Sequence, residues 1–219
     1  MTTTSGGKTG STKTAVVYFF YLVLVWSFYR KFFQFGDEFE EFLIKPIIWL
    51  LPLVIISQRE KLKVKDFGLT GKNLFSSMYL TISLGIGFAA TGLVVNILKH
   101  KSLHLTANIG EDPILVSILI SFATAFVEEV VFRGYIFGRL KIAIKNELVA
   151  NLTSSVMWML LHLPIMIFVW NLESYAIAVM AVLTLIYGIG SAFVYARTKN
   201  ISSSVLLHVL WEWPVILFR

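Results

Sequence analysis

The chain has 219 residues, of which 57% are apolar, 15% are charged and none is cysteine. That apolar fraction leaves too little polar surface for a soluble domain, and runs of about 18 or more apolar residues indicate membrane helices. The lack of cysteine excludes a disulfide framework and thiolate chemistry. The net charge of +6 falls in polar connections, where it sets membrane topology, so we expect a lipid bilayer and not nucleic acid as the partner.

The first part of the chain carries three predicted spans after a polar tail. Residues 1–13 are rich in Thr, Ser, Gly and Lys without periodicity, which predicts a disordered cytoplasmic tail. The N-terminal membrane helices, within residues 14–112, are span 1 (14–29), span 2 (42–57) and span 3 (74–98). Lys45 lies one turn inside span 2, where we expect a snorkelling terminus and not a site residue.

The second part, residues 113–219, carries four further spans. They are span 4 (113–132), span 5 (149–170), span 6 (175–196) and span 7 (201–218). Between spans 4 and 5, residues 133–148 combine apolar and basic residues at helical spacing, which predicts an amphipathic helix lying in the membrane interface. The sequence therefore predicts an all-α, polytopic membrane helix bundle of about seven spans plus one interfacial helix.

The positive charges predict an orientation. With seven spans and a cytoplasmic N-terminus, thirteen Lys and Arg residues fall on the cytoplasmic side and five on the other, with Lys45 inside a span. This bias satisfies the positive-inside rule. We therefore predict a multi-pass protein of the cell membrane with its N-terminus in the cytoplasm.

Few ionisable side chains lie within the predicted spans. Of thirteen acidic residues only Glu128, Glu129 and Glu212 lie in apolar runs, and of four histidines only His162 and His208. At about 2.5–3.5 kcal/mol per charge at a helix centre, three isolated carboxylates would cost about as much as a domain's net stability. Five unrelated polar residues are the alternative, but intramembrane charges usually face one another. We therefore predict one cluster.

Helical spacing supports this prediction. Three pairs lie four residues apart and share a helix face: Glu129 with Arg133, Trp158 with His162, and His208 with Glu212. Glu128 points about 100° away from the first pair and is free for another partner. We expect spans 4, 5 and 7 to converge on Glu128, His162 and His208.

These residues form three motifs that resemble those of the CAAX-protease and bacteriocin-processing (CPBP, or Abi) family, which includes the type II CAAX prenyl endopeptidases. The motifs are Glu128-Glu129-x-x-x-Arg133, Trp158-x-x-x-His162 and His208-x-x-x-Glu212, in that order and each on an apolar helix. The likeness covers residues 113–218, whereas spans 1–3 match only in being apolar helices. The resemblance implies that residues 113–219 form a catalytic helix core.

The resemblance implies an intramembrane endopeptidase that hydrolyses a peptide bond of a membrane-associated or peptide substrate. Glu128 with His162 would activate a water molecule, and Glu129 with its arginine would hold the shape of the site. His208, with or without the carboxyl group four residues later, would stabilise the oxyanion. Two histidines and one glutamate also make a catalytic zinc set with a position for water, so a Zn²⁺ cofactor stays open beside a metal-free mechanism.

Two positions depart from the family's pattern. Trp158 stands where the family usually has Phe, and Glu212 stands where it usually has Asn and sometimes Asp. An ionised Glu212 cannot donate a hydrogen bond to an oxyanion, and its charge would oppose the developing negative charge. Three alternatives follow. Burial would raise the pKa of Glu212 until it is a neutral donor, or Glu212 would only orient His208, or the protein would not be a protease.

Other classes of function have less support in the residues. No Asp lies within a predicted span and no His-Glu-x-x-His motif is present, which argues against aspartyl and simple zinc proteases. Ser191 follows two glycines and would be a candidate nucleophile, but Gly188 and Ala192 are spaced for helix packing. A non-catalytic membrane scaffold or peptide-immunity protein of the same fold is the main alternative. A proton-coupled transporter is another, although we find no repeated halves.

Overall fold

The structure, a computed structural model, describes residues 6–33, 35–72, 74–103 and 114–217. These residues form helices and contain no strand, which confirms the all-α class. The α-helices are α1 (Gly6–Phe32), α2 (Asp37–Phe39), α3 (Lys45–Arg59), α4 (Leu74–His100), α5 (Ile114–Glu129), α6 (Gly138–Ile144), α7 (Glu147–Pro164), α8 (Ser174–Thr198) and α9 (Ile201–Leu217). A 3₁₀ turn (Val64–Phe67) and three π-helical segments (Glu40–Ile44, Val130–Phe137 and Ile165–Val169) complete the helical structure.

Five helical segments are long and apolar enough to cross a membrane. They are Thr12–Phe32, Ser77–Leu98, Leu115–Ile144, Glu147–Val169 and Ser174–Thr198. These segments correspond to predicted spans 1, 3, 4, 5 and 6, and they confirm a polytopic helical bundle. Helix α9 corresponds to span 7, whose predicted end at Phe218 lies outside the described residues. The predicted boundary between residues 112 and 113 also lies outside them.

The segment predicted as span 2 is shorter than a membrane span. Glu40, Glu41 and Lys45 occupy its N-terminal end, and all three side chains are buried inside the protein. The apolar stretch that follows, residues 46–57, is 12 residues long. At 1.5 Å per residue it extends about 18 Å, less than the ~30 Å hydrocarbon core of a bilayer. Because the count of cytoplasmic cations assumed seven alternating spans, the orientation stays a prediction.

Residues 133–144 continue the preceding helix and do not form the separate interfacial helix that the sequence predicts. Helix α5, the π-helical segment Val130–Phe137 and α6 follow one another without interruption. The helix ends only at Lys145, which has a left-handed φ of 57°. The continuation is possible because Arg133, counted among the interfacial charges, is buried and paired with Glu129.

The N-terminal tail is also more helical than its composition predicts. Helix α1 begins at Gly6, whereas the sequence predicts disorder through Lys13; residues 1–5 lie outside the described part of the chain. Adding residues to an existing helix avoids the unfavourable nucleation step, so the apolar span of α1 can extend backwards through residues of modest helix propensity.

Close helix packing fixes the elements that carry the candidate site. Helix α7 packs along α8, and α9 packs against α4 and α5. Gly188 of α8 lies so near α7 that an added Cβ would be 3.1 Å from the Cβ of Ser155. Gly85 of α4 lies equally near α9, since an added Cβ there would be 3.2 Å from the Cβ of Leu210. Glycine therefore permits the close approach of α7 to α8 and of α4 to α9.

Candidate active site

The structure brings all six candidate residues into one cluster between α5, α7 and α9. They are Glu128 and Glu129 at the end of α5, Arg133 in the following π-helical segment, His162 near the end of α7, and His208 and Glu212 on α9. The two adjacent glutamates, the arginine and His208 are buried, whereas the side chains of His162 and Glu212 are each 24% exposed. The cluster is therefore buried on one side and partly exposed to solvent at His162 and Glu212.

Glu128 has one occupied oxygen and one free oxygen. Its Oε1 forms an ion pair with Lys45, while its Oε2 has no hydrogen-bond partner within the described part of the chain. Oε2 lies 3.8 Å from Nε2 of His162 and 3.9 Å from Nε2 of His208. These separations exceed a direct hydrogen bond but match polar groups that a single water molecule bridges.

Glu129, in contrast, has four partners among the residues that the structure describes. Nε of Arg133 lies 3.2 Å from Oε2, and the hydroxyl group of Ser191 donates to the same oxygen at 2.7 Å. The hydroxyl group of Tyr187 donates to Oε1 at 2.8 Å, and Nδ1 of His208 lies 3.1 Å from that oxygen. A carboxylate with this many partners is held in place, so Glu129 orients its neighbours.

The partners of the two imidazoles define which ring nitrogen faces the cluster. Nδ1 of His162 lies 2.9 Å from the carbonyl oxygen of Trp158, which can only accept, so we place the proton on Nδ1. Nε2 of His162 then faces Glu128 with its lone pair. In His208, Nδ1 is held by Glu129, and Nε2 lies 3.3 Å from Oε1 of Glu212. Both Nε2 atoms are therefore directed at the site.

A cavity of about 370 Å³ lies beside these groups. Glu128, His162, His208 and Glu212 contribute to its lining, together with aromatic side chains such as Trp158. Ligand-binding cavities in proteins typically measure about 300–1,000 Å³, with apolar walls and a few polar groups. The site is thus large enough to admit part of a substrate.

Each π-helical segment lies next to a residue of the cluster or next to Lys45, which contacts the cluster. Val130–Phe137 begins directly after Glu129, and Ile165–Val169 begins three residues after His162. Glu40–Ile44 directly precedes Lys45. A π-helical turn contains an extra residue and shifts the faces of the helix on either side, and such turns occur frequently at functional sites. Neither hydropathy nor the four-residue spacing of the motifs predicts where these turns fall.

Lys45 contradicts the expectation of a snorkelling side chain. Its side chain is 3% exposed, and its ammonium group contacts Oε2 of Glu41 at 2.8 Å as well as Glu128. Ser191 and Tyr187, the partners of Glu129 on α8, were not predicted from the sequence either. The available signal was spacing, because Glu41 and Lys45 lie four residues apart, as do Tyr187 and Ser191.

The contacts of Lys45 continue through Glu41, Arg30 and Glu40, whose charges alternate in sign. The hydroxyl group of Thr124 donates to Oε2 of Glu41 at 2.7 Å, and Nη2 of Arg30 lies 3.9 Å from Oε1 of Glu41. Arg30 also forms an ion pair with Glu40. Burial raises the pKa of the Glu40 carboxyl group above its ordinary value, an effect that the neighbouring arginine opposes. Glu40 and Glu41 are thus part of the protein interior.

The donor atoms near Glu128 do not form a metal site. Within the described residues, no group of three or more His, Cys, Asp or Glu side chains is arranged to hold a metal ion. The Lys45 ammonium group pairs with Oε1 of Glu128 and would repel a dication beside that carboxylate, and Nε2 of His208 is already directed at Glu212. The zinc set that the sequence left open therefore does not fit these residues as arranged, and a metalloprotease assignment has no support.

Fold and site together define a helical, multi-pass membrane protein with buried glutamate and histidine side chains beside a cavity. A family model described as type II CAAX prenyl endopeptidase Rce1-like matches residues 110–214. Residues 110–214 are therefore an Rce1-like region, which confirms the family resemblance. The matched region contains all six candidate residues, whereas Lys45 and helices α1–α4 lie outside it. No curated protein matches the chain in sequence.

Proposed function

We propose that the protein is an intramembrane endopeptidase that hydrolyses a peptide bond in a membrane-associated or peptide substrate. The Rce1-like region supports protease activity of the CAAX type in general. The observation that carries the specific proposal is the free Oε2 of Glu128, which faces two imidazole nitrogens at 3.8 and 3.9 Å. A water molecule bound among these three atoms would meet one carboxylate oxygen, the Nε2 lone pair of His162 and the Nε2 atom of His208.

In the proposed reaction, Glu128 acts first as a general base and then as a general acid. It takes a proton from water while His162 orients the water oxygen, and that oxygen bonds to the carbonyl carbon of the scissile amide. Glu128 then gives the proton to the amide nitrogen, the carbon–nitrogen bond breaks, and a carboxylic acid and an amine leave. General acid–base catalysis of this kind contributes about 10²–10⁴-fold to a rate.

His208 is the proposed partner of the oxyanion. Its Nδ1 is held by Glu129, which is fixed in turn by Arg133, Ser191 and Tyr187, so the Nε2–H bond would have a constant direction. A fixed donor directed at the position where negative charge develops stabilises a transition state more than water does. Because Oε1 of Glu212 lies 3.3 Å from Nε2 of His208, Glu212 would keep that nitrogen protonated and oriented.

The same position supports a second candidate function. The Glu212 carboxyl group lies beside the nitrogen proposed to bind the oxyanion, and an ionised carboxylate there opposes negative charge on a substrate. A non-catalytic member of the same fold, acting as a membrane scaffold or a peptide-immunity protein, would tolerate this charge. The two functions differ in whether any peptide bond is broken.

A cleavage assay separates these functions. Purified protein in vesicles is mixed with fluorogenic peptides, prenylated and unmodified, and the wild type is compared with Glu128→Ala. We expect cleavage by the wild type and none by Glu128→Ala, while a Glu60→Ala control retains activity because Glu60 pairs with Arg139 away from the cavity. A wild type that binds peptide without cleaving any of them would favour the scaffold.

A chelator test addresses the metal question separately. Because the residues around Glu128 do not form a metal site, we expect purified protein to retain full activity after exhaustive treatment with EDTA and 1,10-phenanthroline. Metal analysis by mass spectrometry would show less than one equivalent of zinc. Loss of activity that only added zinc restores would overturn the metal-free mechanism and leave the site residues in place as ligands.

We also propose that the protein resides in the cell membrane with a cytoplasmic N-terminus. The chain has no cysteine, so single cysteines can be labelled without background. In intact cells, Thr3→Cys should resist a membrane-impermeant maleimide until the cells are opened. Ser102→Cys should be labelled if α3 crosses the membrane between α1 and α4, and protected if it does not.

A further inference from the structure

Lys45 lies at the centre of the contacts that fix Glu128, although it belongs to a part of the chain outside the Rce1-like region. We propose that Lys45 is a positioning residue that keeps the Glu128 carboxylate charged and turns its free oxygen toward His162 and His208. This proposal rests on the proposed function, because it assigns Lys45 a role in the same reaction.

The surroundings of Lys45 exclude a snorkelling role. The residue is 2% exposed, and its ammonium nitrogen lies 5.9 Å and 5.6 Å from the ring centroids of Trp26 and Trp49. A buried ammonium group is unfavourable unless it is paired and hydrogen-bonded. Its two partners are the carboxylates of Glu41 and Glu128, so the burial of Lys45 depends on both.

The contact with Lys45 also determines what Glu128 can do. Lys45 binds Oε1, which leaves Oε2 directed at the two imidazoles without touching either. Without the ammonium group, the nearest groups able to neutralise Glu128 would be the imidazoles themselves. The carboxylate would then pair directly with a histidine, and neither group would be available to bind and deprotonate water.

Lys45 is itself held in place by residues from three helical elements. Glu41, in the π-helical segment before α3, accepts from Lys45 at 2.8 Å and from Thr124 of α5 at 2.7 Å. Arg30, near the end of α1, lies 3.9 Å from Glu41. Because these contacts join α1, α3 and α5, the N-terminal helices complete the site and do more than enclose it.

The test compares Lys45→Met and Lys45→Arg with a matched control in a cleavage assay that separates kcat from KM. Lys45→Met keeps most of the length of the side chain and removes its charge, so we expect kcat to fall about tenfold to a hundredfold, the value of one charge-assisted hydrogen bond. We expect KM to change less than about threefold, because substrate contacts stay intact. Lys45→Arg should restore most of the lost kcat.

The matched control is Arg139→Met, which removes the cation of a different ion pair, one that is partly buried. Arg139 lies 2.8 Å from Glu60, and its side chain is 18% exposed. It lines a smaller cavity of about 250 Å³ and not the one beside Glu128. We expect this variant to retain the wild-type kcat, which would show that loss of an ion pair alone does not lower the rate.

Each outcome decides the proposal. Wild-type kcat in Lys45→Met, or equal inactivity of folded Lys45→Met and Lys45→Arg, would overturn it, whereas inactivity of Glu128→Ala would still support the proposed function. Activity in Glu128→Ala would instead overturn the function itself. If Lys45→Met does not yield folded protein, the double variant Lys45→Met with Glu41→Gln replaces it under the same criteria. The double variant removes one positive and one negative charge and so leaves Glu41 without an unpaired charge.

Discussion

Glu128 is contacted from two parts of the molecule, and the two contacts differ in kind. Helix α3 supplies the ammonium group of Lys45 in direct contact, whereas α7 and α9 supply two imidazoles that stand 3.8 and 3.9 Å away. A lysine keeps its charge near neutral pH, whereas an imidazole can gain or lose a proton there. The N-terminal helices thus provide a fixed field, and the Rce1-like region provides groups able to exchange protons.

The largest expected effect removes the residue that both parts contact. Glu128→Gln preserves size but eliminates the basic oxygen, so we expect kcat to fall about a thousandfold or more. The protein should still insert and fold, as measured by size-exclusion chromatography in detergent. Glu41→Gln, which changes the other carboxylate on Lys45, should lower kcat by about tenfold or less. Equal losses in the two variants would remove the distinction between reacting and supporting carboxylates.

His162→Ala tests the contribution of one of the two imidazoles and leaves Lys45 in place. We expect a loss of at least about a hundredfold in kcat, because the imidazole orients the attacking water. His162→Asn serves as a comparison, since its amide N–H can still donate to the Trp158 carbonyl group but it has no Nε2. Equal inactivity of both variants would identify Nε2 as the required atom. An active His162→Asn would show that the histidine acts mainly through its hydrogen bond to the backbone.

Ser191→Ala tests the support beneath His208. The change removes one donor to Glu129 and one acceptor for Nε of Arg133, all of them buried. We expect the free energy of unfolding to fall by about 1–3 kcal/mol, the usual effect of leaving buried polar groups unpaired. Thermal unfolding in detergent measures this change. Ser155→Ala is the matched control, because within the described part of the chain that buried serine bonds to Asn151 of its own helix, α7. An equal destabilisation in both would show no special role for Ser191.

Contacts within one helix and the meeting of α5, α7 and α9 were predictable from the sequence, whereas the contact that α3 makes with this cluster was not. The spacing of four residues places Glu129 beside Arg133 and His208 beside Glu212, and both pairs are present. The contact between Lys45 and Glu128 depends on how α3 packs against α5, which no helical period encodes. The position of Lys45 within its own segment therefore predicted a helix terminus where the fold places a central cation.

The fold shows the same limit. Apolar runs located the five segments able to span a membrane, because length and hydropathy are local properties. They failed where charge is neutralised inside the protein. Arg133 was counted among the interfacial charges but is paired with Glu129. Lys45 was expected to snorkel but is buried and paired with Glu128. Charge indicates the membrane surface only when it has no internal partner.

The smallest expected effect concerns Glu212, where the two proposed functions diverge. Glu212→Asn replaces a carboxylate with an amide that can donate a hydrogen bond, so we expect activity to be retained or increased, since a donor favours the oxyanion. Glu212→Gln keeps the length of the side chain and separates the loss of charge from the loss of reach to Nε2 of His208. Initial rates of peptide cleavage measure both variants. If both were completely inactive, the carboxylate would be required to hold the imidazole protonated. If the two amide variants cleaved peptide and the wild type did not, the wild-type protein would be a scaffold. A single substitution at Glu212 would then restore hydrolysis.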